Sequence, residues 1–294
     1  MDMNQLTRIF CELDDFYKEY DSYMKAHLLP APSLTTHRGP KPRLTESEIM
    51  TLLVAFQYSG FRNFKNFYNG FVAVYWKSAF PDLVGYHHFI SIMSRVIFPL
   101  LLFTQLNSGK QTGIYYIDST VLPACHYKRS GRNKTFENIA KYGRTSVGRF
   151  FGLKLHLVIN DQGELIAFKM TKGNRHDVKE AAPLLKKLKG FAFGDKGYIG
   201  KEIFENLLEK GLKLITRVRK NMKKKTLSKL EKQLLNQRGI IETVIDHLKH
   251  RYQIWHTRHR SPLHAITHLM AALVAYTIEP LKISAIKRLN MDVI

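Results

Sequence analysis

Between residues 113 and 251 the hydrophobic pattern changes period in a set order, and that order restricts the folds open to the chain. Gly113 to Ile117 (GIYYI) is a short run of β-branched and aromatic residues, which predicts a strand buried on both faces. Arg149 to Asn160 (RFFGLKLHLVIN) alternates as a strand does, Asp161-Gln162-Gly163 reads as a turn, and Glu164 to Thr171 (ELIAFKMT) returns to make a hairpin. Asp177 to Leu188 is an amphipathic helix with Val178, Ala181, Leu184, Leu185 and Leu188 inward. Phe191-Ala192-Phe193 is a second short buried strand, followed by a helix over Ile199–Glu209, a strand over Leu212–Val218 and a long helix from Ser228 to Arg251. A meander of strands followed by alternating elements predicts an α/β domain: one mixed sheet flanked by helices.

Ahead of this lies an expected helical region. Leu6, Ile9, Phe10, Leu13, Phe16 and Tyr17 share one helix face and acids dominate the other, which suits a packing or oligomer-contact helix. A polar linker with four prolines spans Leu29 to Pro42. Thr45-Glu46-Ser47-Glu48 is a capping box opening a helix to about Gln57, and further helices are expected over Asn63–Lys77 and His87–Phe103. Short helices with Gly-containing turns fit a helix-turn-helix-like DNA-end reader, and equally a structural cap. The expected division is a helical region 1–105, a catalytic domain 110–281 that includes the apolar helix Pro262–Ile278, and a tail 282–294.

Charge points to the partner. Lys plus Arg number 46 against 24 acids, a net +22, which calls for a polyanion, with nucleic acid ahead of an acidic membrane surface. Residues 1–60 hold 6 bases and 8 acids, whereas residues 210–260 hold 15 bases and 3 acids. The apolar runs Val96–Phe103, broken by Pro99, and Leu269–Ile278 fall short of the ~20 residues of a membrane span. With no signal-like start and two cysteines, Cys11 and Cys125, expected as free thiols, the expectation is a cytoplasmic protein with no membrane partner.

Three acids stand out. Asp118 follows the first buried strand and Asp195 follows the second. Each could cap a turn; if the strands are parallel neighbours, the two carboxylates meet and either share a proton or bind a divalent cation. Glu242 lies in a basic helix with Arg238 and Lys249, all within ~60° on the helical wheel. A plain Arg238–Glu242 ion pair is the ordinary alternative, and Asp246, one turn on, competes for the role.

The segments YYIDST around Asp118, FAFGDKGYIG around Asp195, GNRHD at 173–177 and R-x₃-E-x₆-K at Arg238, Glu242 and Lys249 together resemble the DDE transposases of bacterial insertion sequences, and in order and length the insertion sequence nine-eighty-two group. The motif of that family begins with a Tyr three residues before the Arg, where this chain has Leu235. The resemblance implies a ribonuclease-H-like catalytic core, here with only 47 positions from Asp195 to Glu242 and so no large insertion. It implies that Asp118, Asp195 and Glu242 hold two Mg²⁺ ions, with Mn²⁺ as a substitute, and that the protein hydrolyses DNA and joins the freed 3′-hydroxyl to a target. Arg238 and Lys249 would then contact phosphates, and the basic stretches holding Arg129, Arg132, Lys134 and Lys223-Lys224-Lys225 would track double-stranded DNA, element ends and target alike. A homo-oligomer on DNA, in a bacterial nucleoid, is implied as well. The alternatives are a nuclease of the same fold that cuts without joining, and a DNA-binding regulator.

Overall fold

The computed structural model describes residues 1–27, 42–145, 148–217, 226–255 and 259–282. The chain forms two compact units: Met1–Leu106 with Arg251–Gln253 and Pro262–Ile278, and Asn107–His250 with Ile254–Ser261 and Glu279–Ile294. The helix Pro262–Ile278, expected to close the catalytic domain, groups with the N-terminal helices instead. It is buried without a break from Thr267 to Tyr276, so it needs apolar neighbours on every side, and a helical unit supplies them.

In the helical unit α1 (Met3–His27) buries Leu6, Ile9 and Leu13, and α2 (Glu46–Tyr58) opens on the expected capping box, with Glu48 N donating to Thr45 Oγ1 at 3.2 Å. The Asn63–Lys77 helix appears as α3 (Phe64–Asn66), a π-helical turn Phe67–Val72 and α4 (Ala73–Tyr75). Phe56, Phe64, Phe67, Phe71 and Trp76 pack ring to ring there, Phe56–Phe67 at 5.5 Å and Phe67–Trp76 at 5.8 Å. The next helix is α5 (Tyr86–Ile92), a 3₁₀ segment Met93–Val96 and α6 (Ile97–Leu106). Pro99 lies in the first turn of α6, where no N–H is required, so it does not break the run. The 21-residue stretch Tyr86–Leu106 is therefore long and apolar enough, by length and composition, to cross a membrane, although Phe89, Met93, Val96, Leu100 and Phe103 are buried within the protein.

The second unit is built on a sheet of β1 (Ile114–Cys125), β2 (Lys141–Thr145), β3 (Gly148–Asn160), β4 (Leu165–Lys172), β5 (Gly190–Gly194) and β6 (Leu212–Thr216). Its path is β2-β3-β1-β5-β6, and β4 pairs β3 alongside β2. The first four strands pair antiparallel with one another, whereas β5 pairs parallel with β1 and β6 parallel with β5. This is the mixed sheet anticipated from the element order, in the ribonuclease-H-like arrangement that the resemblance implied. Alternation along β1 gives each face its own layer. Tyr115 and Ile117 join Val158, Ala192, Tyr198 and the apolar sides of α7 (Val178–Leu185) and α8 (Lys201–Glu209) in one core. Tyr116, beside Phe193 at 5.7 Å, lies on the other face. The helix expected from Ser228 to Arg251 is two, α9 (Lys229–Asn236) and α10 (Gly239–His250), parted at Gln237-Arg238. Helix α10 packs on β1 and buries Ile240, Ile241, Val244, Ile245 and Leu248. Five aliphatic side chains are worth on the order of 10 kcal/mol of transfer free energy, which holds α10 against the sheet.

Candidate active site and nucleic-acid interface

Strand β1 does not stop at Asp118. It continues to Cys125 because Ser119 to Cys125 pair with His156 to Phe151 of the long strand β3. What ends beside Asp118 is its parallel neighbour: Ile117 pairs Gly194, the last residue of β5, so Asp195 comes off the sheet next to Asp118. The two acids thus share one end of the β1–β5 pair, as the parallel arrangement requires, with Asp118 in mid-strand.

Asp118 is nearly buried, and each of its carboxylate oxygens is engaged. Oδ1 accepts from the backbone N–H of Ser119 at 2.7 Å, and Oδ2 meets Arg238 Nη2 at 2.7 Å. Arg238 donates from Nη1 to Glu242 Oε1 at 2.8 Å, so one guanidinium joins the mid-strand acid to the first turn of α10. The i,i+4 ion pair considered as the ordinary alternative does form, but only as half of a bridge. Burial pushes the Asp118 carboxyl up to about 6; Arg238 and the Ser119 N–H pull it down, while the charges of Asp195 and Glu242 raise it further. Glu242 is the acid of α10 that the Arg238 guanidinium joins to Asp118.

Three carboxylates against one guanidinium leave two uncompensated negative charges, and the donor set is all oxygen. Both features suit a hard divalent cation. Among the described residues no three Asp, Glu, His or Cys side chains stand close enough to hold one ion together. Glu242, 61% exposed at its side chain, is held by Arg238, which stands between it and Asp118 as counter-cation.

A second polar group lies on the opposite face of β1. Ser119 pairs across to His156, which is fully buried, held neutral by desolvation, and bonded through Nε2 to Thr171 at 2.9 Å. Asp177, at the start of α7, makes no capping bond; its carboxylate goes to Lys154 at 3.0 Å and lies 3.8 Å from His156. The Tyr198 hydroxyl is buried beside Ser119, and burial, then Asp118 and Asp177, keep it un-ionised. These contacts depend on strand register rather than local motif. The alternation of LKLHL, which puts Lys154 and His156 on one face, was the one available signal.

Of the expected nucleic-acid contacts, Arg238 points into the acid cluster. Lys249 lies 4.6 Å over the ring of Trp255, which is 46% exposed and donates from Nε1 to the Val121 carbonyl at 2.7 Å. Arg129, Arg132 and Lys134 are exposed. Lys223, Lys224 and Lys225 lie outside the described residues, as does most of the Pro-rich linker.

A ribonuclease-H-like sheet whose central strand carries an acid, with a second acid just after the next strand and a third on the covering helix, defines a class of domain. A family model described as the transposase DDE domain matches residues 108–262, more than half of the chain and all three acids; the chain belongs to that family. Among solved structures it is similar to the piggyBac transposase in a cryo-EM synaptic complex with hairpin DNA, with a TM-score of 0.50 and 12% identity over 97% of this chain and 76% of that one. At that identity the likeness concerns fold alone. No curated protein matches at significance.

Proposed function

We propose that the chain is a metal-dependent transposase that binds the ends of its mobile element, cuts DNA there and joins the 3′-hydroxyl ends to target DNA. The observation that carries the reading is the Asp118–Arg238–Glu242 bridge beside Asp195, at the centre of a sheet that falls within a transposase DDE domain. Asp118, Asp195 and Glu242 are the residues that would hold Mg²⁺ or Mn²⁺. Bound there, divalent ions supply a hydroxide or 3′-oxygen nucleophile and offset charge on the leaving oxygen. Asp118 fixes the position of the centre, since its strand is paired on both sides. The desolvation that raises its pKa also means that it gains most from a cation. Arg238, displaced from the carboxylates, is placed to take a phosphate oxygen. The helical unit is assigned to reading the element end, and membership of the insertion sequence nine-eighty-two group, with a bacterial cytoplasmic setting and an oligomer on DNA, belongs to the same proposal.

Labelled element-end duplex, supercoiled target plasmid and Mg²⁺ test the proposal. Joined products are expected. Cleavage without joining would make the protein a nuclease of the same fold, and DNA binding without cleavage would make it a regulator.

A further inference from the structure

Residues 126–154 hold eight Lys and Arg against a single acid, Glu137. Part of that stretch is a two-stranded ribbon. Strand β2 pairs only with the first residues of β3, with Lys141 opposite Gly152, Tyr142 opposite Phe151, Gly143 opposite Phe150, and Arg144 opposite Arg149.

The two faces of the ribbon differ. On the Gly143 face the Phe150 ring lies where a Cβ on Gly143 would sit, with the Gly173 carbonyl also in contact, so that face is closed. On the other face Tyr142 and Phe151 pack at 5.2 Å, and the Tyr142 hydroxyl bonds to Ser130 Oγ. Ser130 gives its own proton to the Tyr127 carbonyl at 2.6 Å, so Tyr142 is the donor of that bond. One tyrosine thereby fastens the short 3₁₀ helix Tyr127–Arg132, with exposed Lys128, Arg129 and Arg132, to the ribbon. Arg144 and Arg149 follow on the same face, both exposed and directly opposite each other. Like charges in that position cost roughly 0.2–1 kcal/mol, and among the described residues neither arginine has an ion-pair partner. Among the described residues no acid offsets that cost, so an external polyanion is the candidate.

We infer that the Tyr142–Arg144–Arg149 face of the ribbon grips the backbone of duplex DNA, a contact separate from the acid-centred site. A duplex fits better than a single strand because a two-stranded ribbon matches the width of the major groove, and cations on both strands meet phosphates on both walls. The inference rests on DNA being the substrate.

The test is a salt series of duplex binding, read by fluorescence anisotropy, for the wild type and for paired variants. Arg144→Ala/Arg149→Ala is expected to flatten the log affinity versus log salt slope by about 2, at ~0.9 per lost phosphate contact. Arg144→Lys/Arg149→Lys is expected to keep the wild-type slope, and Lys201→Ala/Lys210→Ala, which removes the same charge from the two ends of α8, is expected to change it little. Circular dichroism checks that each variant folds. An alanine pair with the slope of the α8 pair overturns the inference even if the protein cuts DNA. A wild type that binds no duplex overturns both this inference and the functional reading.

Discussion

Arg238 and Asp118 form the closest opposition of charge in the site, and the balance between them can be measured. The folded-state pKa of Asp118, about 6, lies above the 3.8 of a free Asp, so the folded protein holds that proton more tightly than the unfolded chain. Below pH ~4 both states are protonated and the group costs nothing. As pH rises to 6 the unfolded chain ionises first, and stability is lost across that window, on the order of 3 kcal/mol when complete. Asp118→Asn cannot ionise, so in chelator its stability relative to wild type is expected to climb by roughly that amount between pH 4 and 7.5. Urea unfolding at several pH values measures it, and parallel curves would refute the assignment. Asp118 and Asp195 were legible in the sequence because each follows an apolar run too short to be anything but a buried strand. Glu242 was legible as an acid out of place in a basic helix. Ser119, Tyr198 and the Lys154–Asp177–His156 group were not, because their meeting depends on which residues of β1 and β3 face each other.

At the scale of elements, the β1–β5 pair sets the site, and its first step depends on a glycine. Gly190 has φ +105°, and a Cβ there would strike the Gly113 carbonyl, so Gly190→Ala is strained in two ways. A loss of about 1–3 kcal/mol is expected from the backbone alone, seen as a lower urea midpoint with unchanged m. Wild-type stability would show that the strand start can shift. The order of elements was readable from period changes; their lengths were less so. Strand β1 runs past Asp118 through Pro123, a residue that argues against a strand interior but is accommodated here at a shift of register. The Ser228–Arg251 helix reads as continuous because its apolar period barely changes, and the draw of Asp118 on Arg238 at the joint is a tertiary force with no local signature.

For the whole molecule, composition told more about the partner than about the division of the chain. The excess of +22 agrees with DNA as substrate, and the ribbon shows where unpaired cations collect. The assignment of Pro262–Ile278 to the helical unit could not be read from its apolar surface, which would suit burial in either unit. What the molecule is proposed to do rests on three carboxylates acting as one centre. The most direct measurement is the single-turnover rate of Mg²⁺-dependent DNA cleavage by Asp118→Asn, Asp195→Asn, Glu242→Gln and Asp246→Asn. The first three are expected to fall by about 10³-fold or more, since each removes several kcal/mol of charge stabilisation, while Asp246→Asn stays near wild type. Cleavage at the wild-type rate in any of the three, or its collapse in Asp246→Asn alone, would contradict that centre.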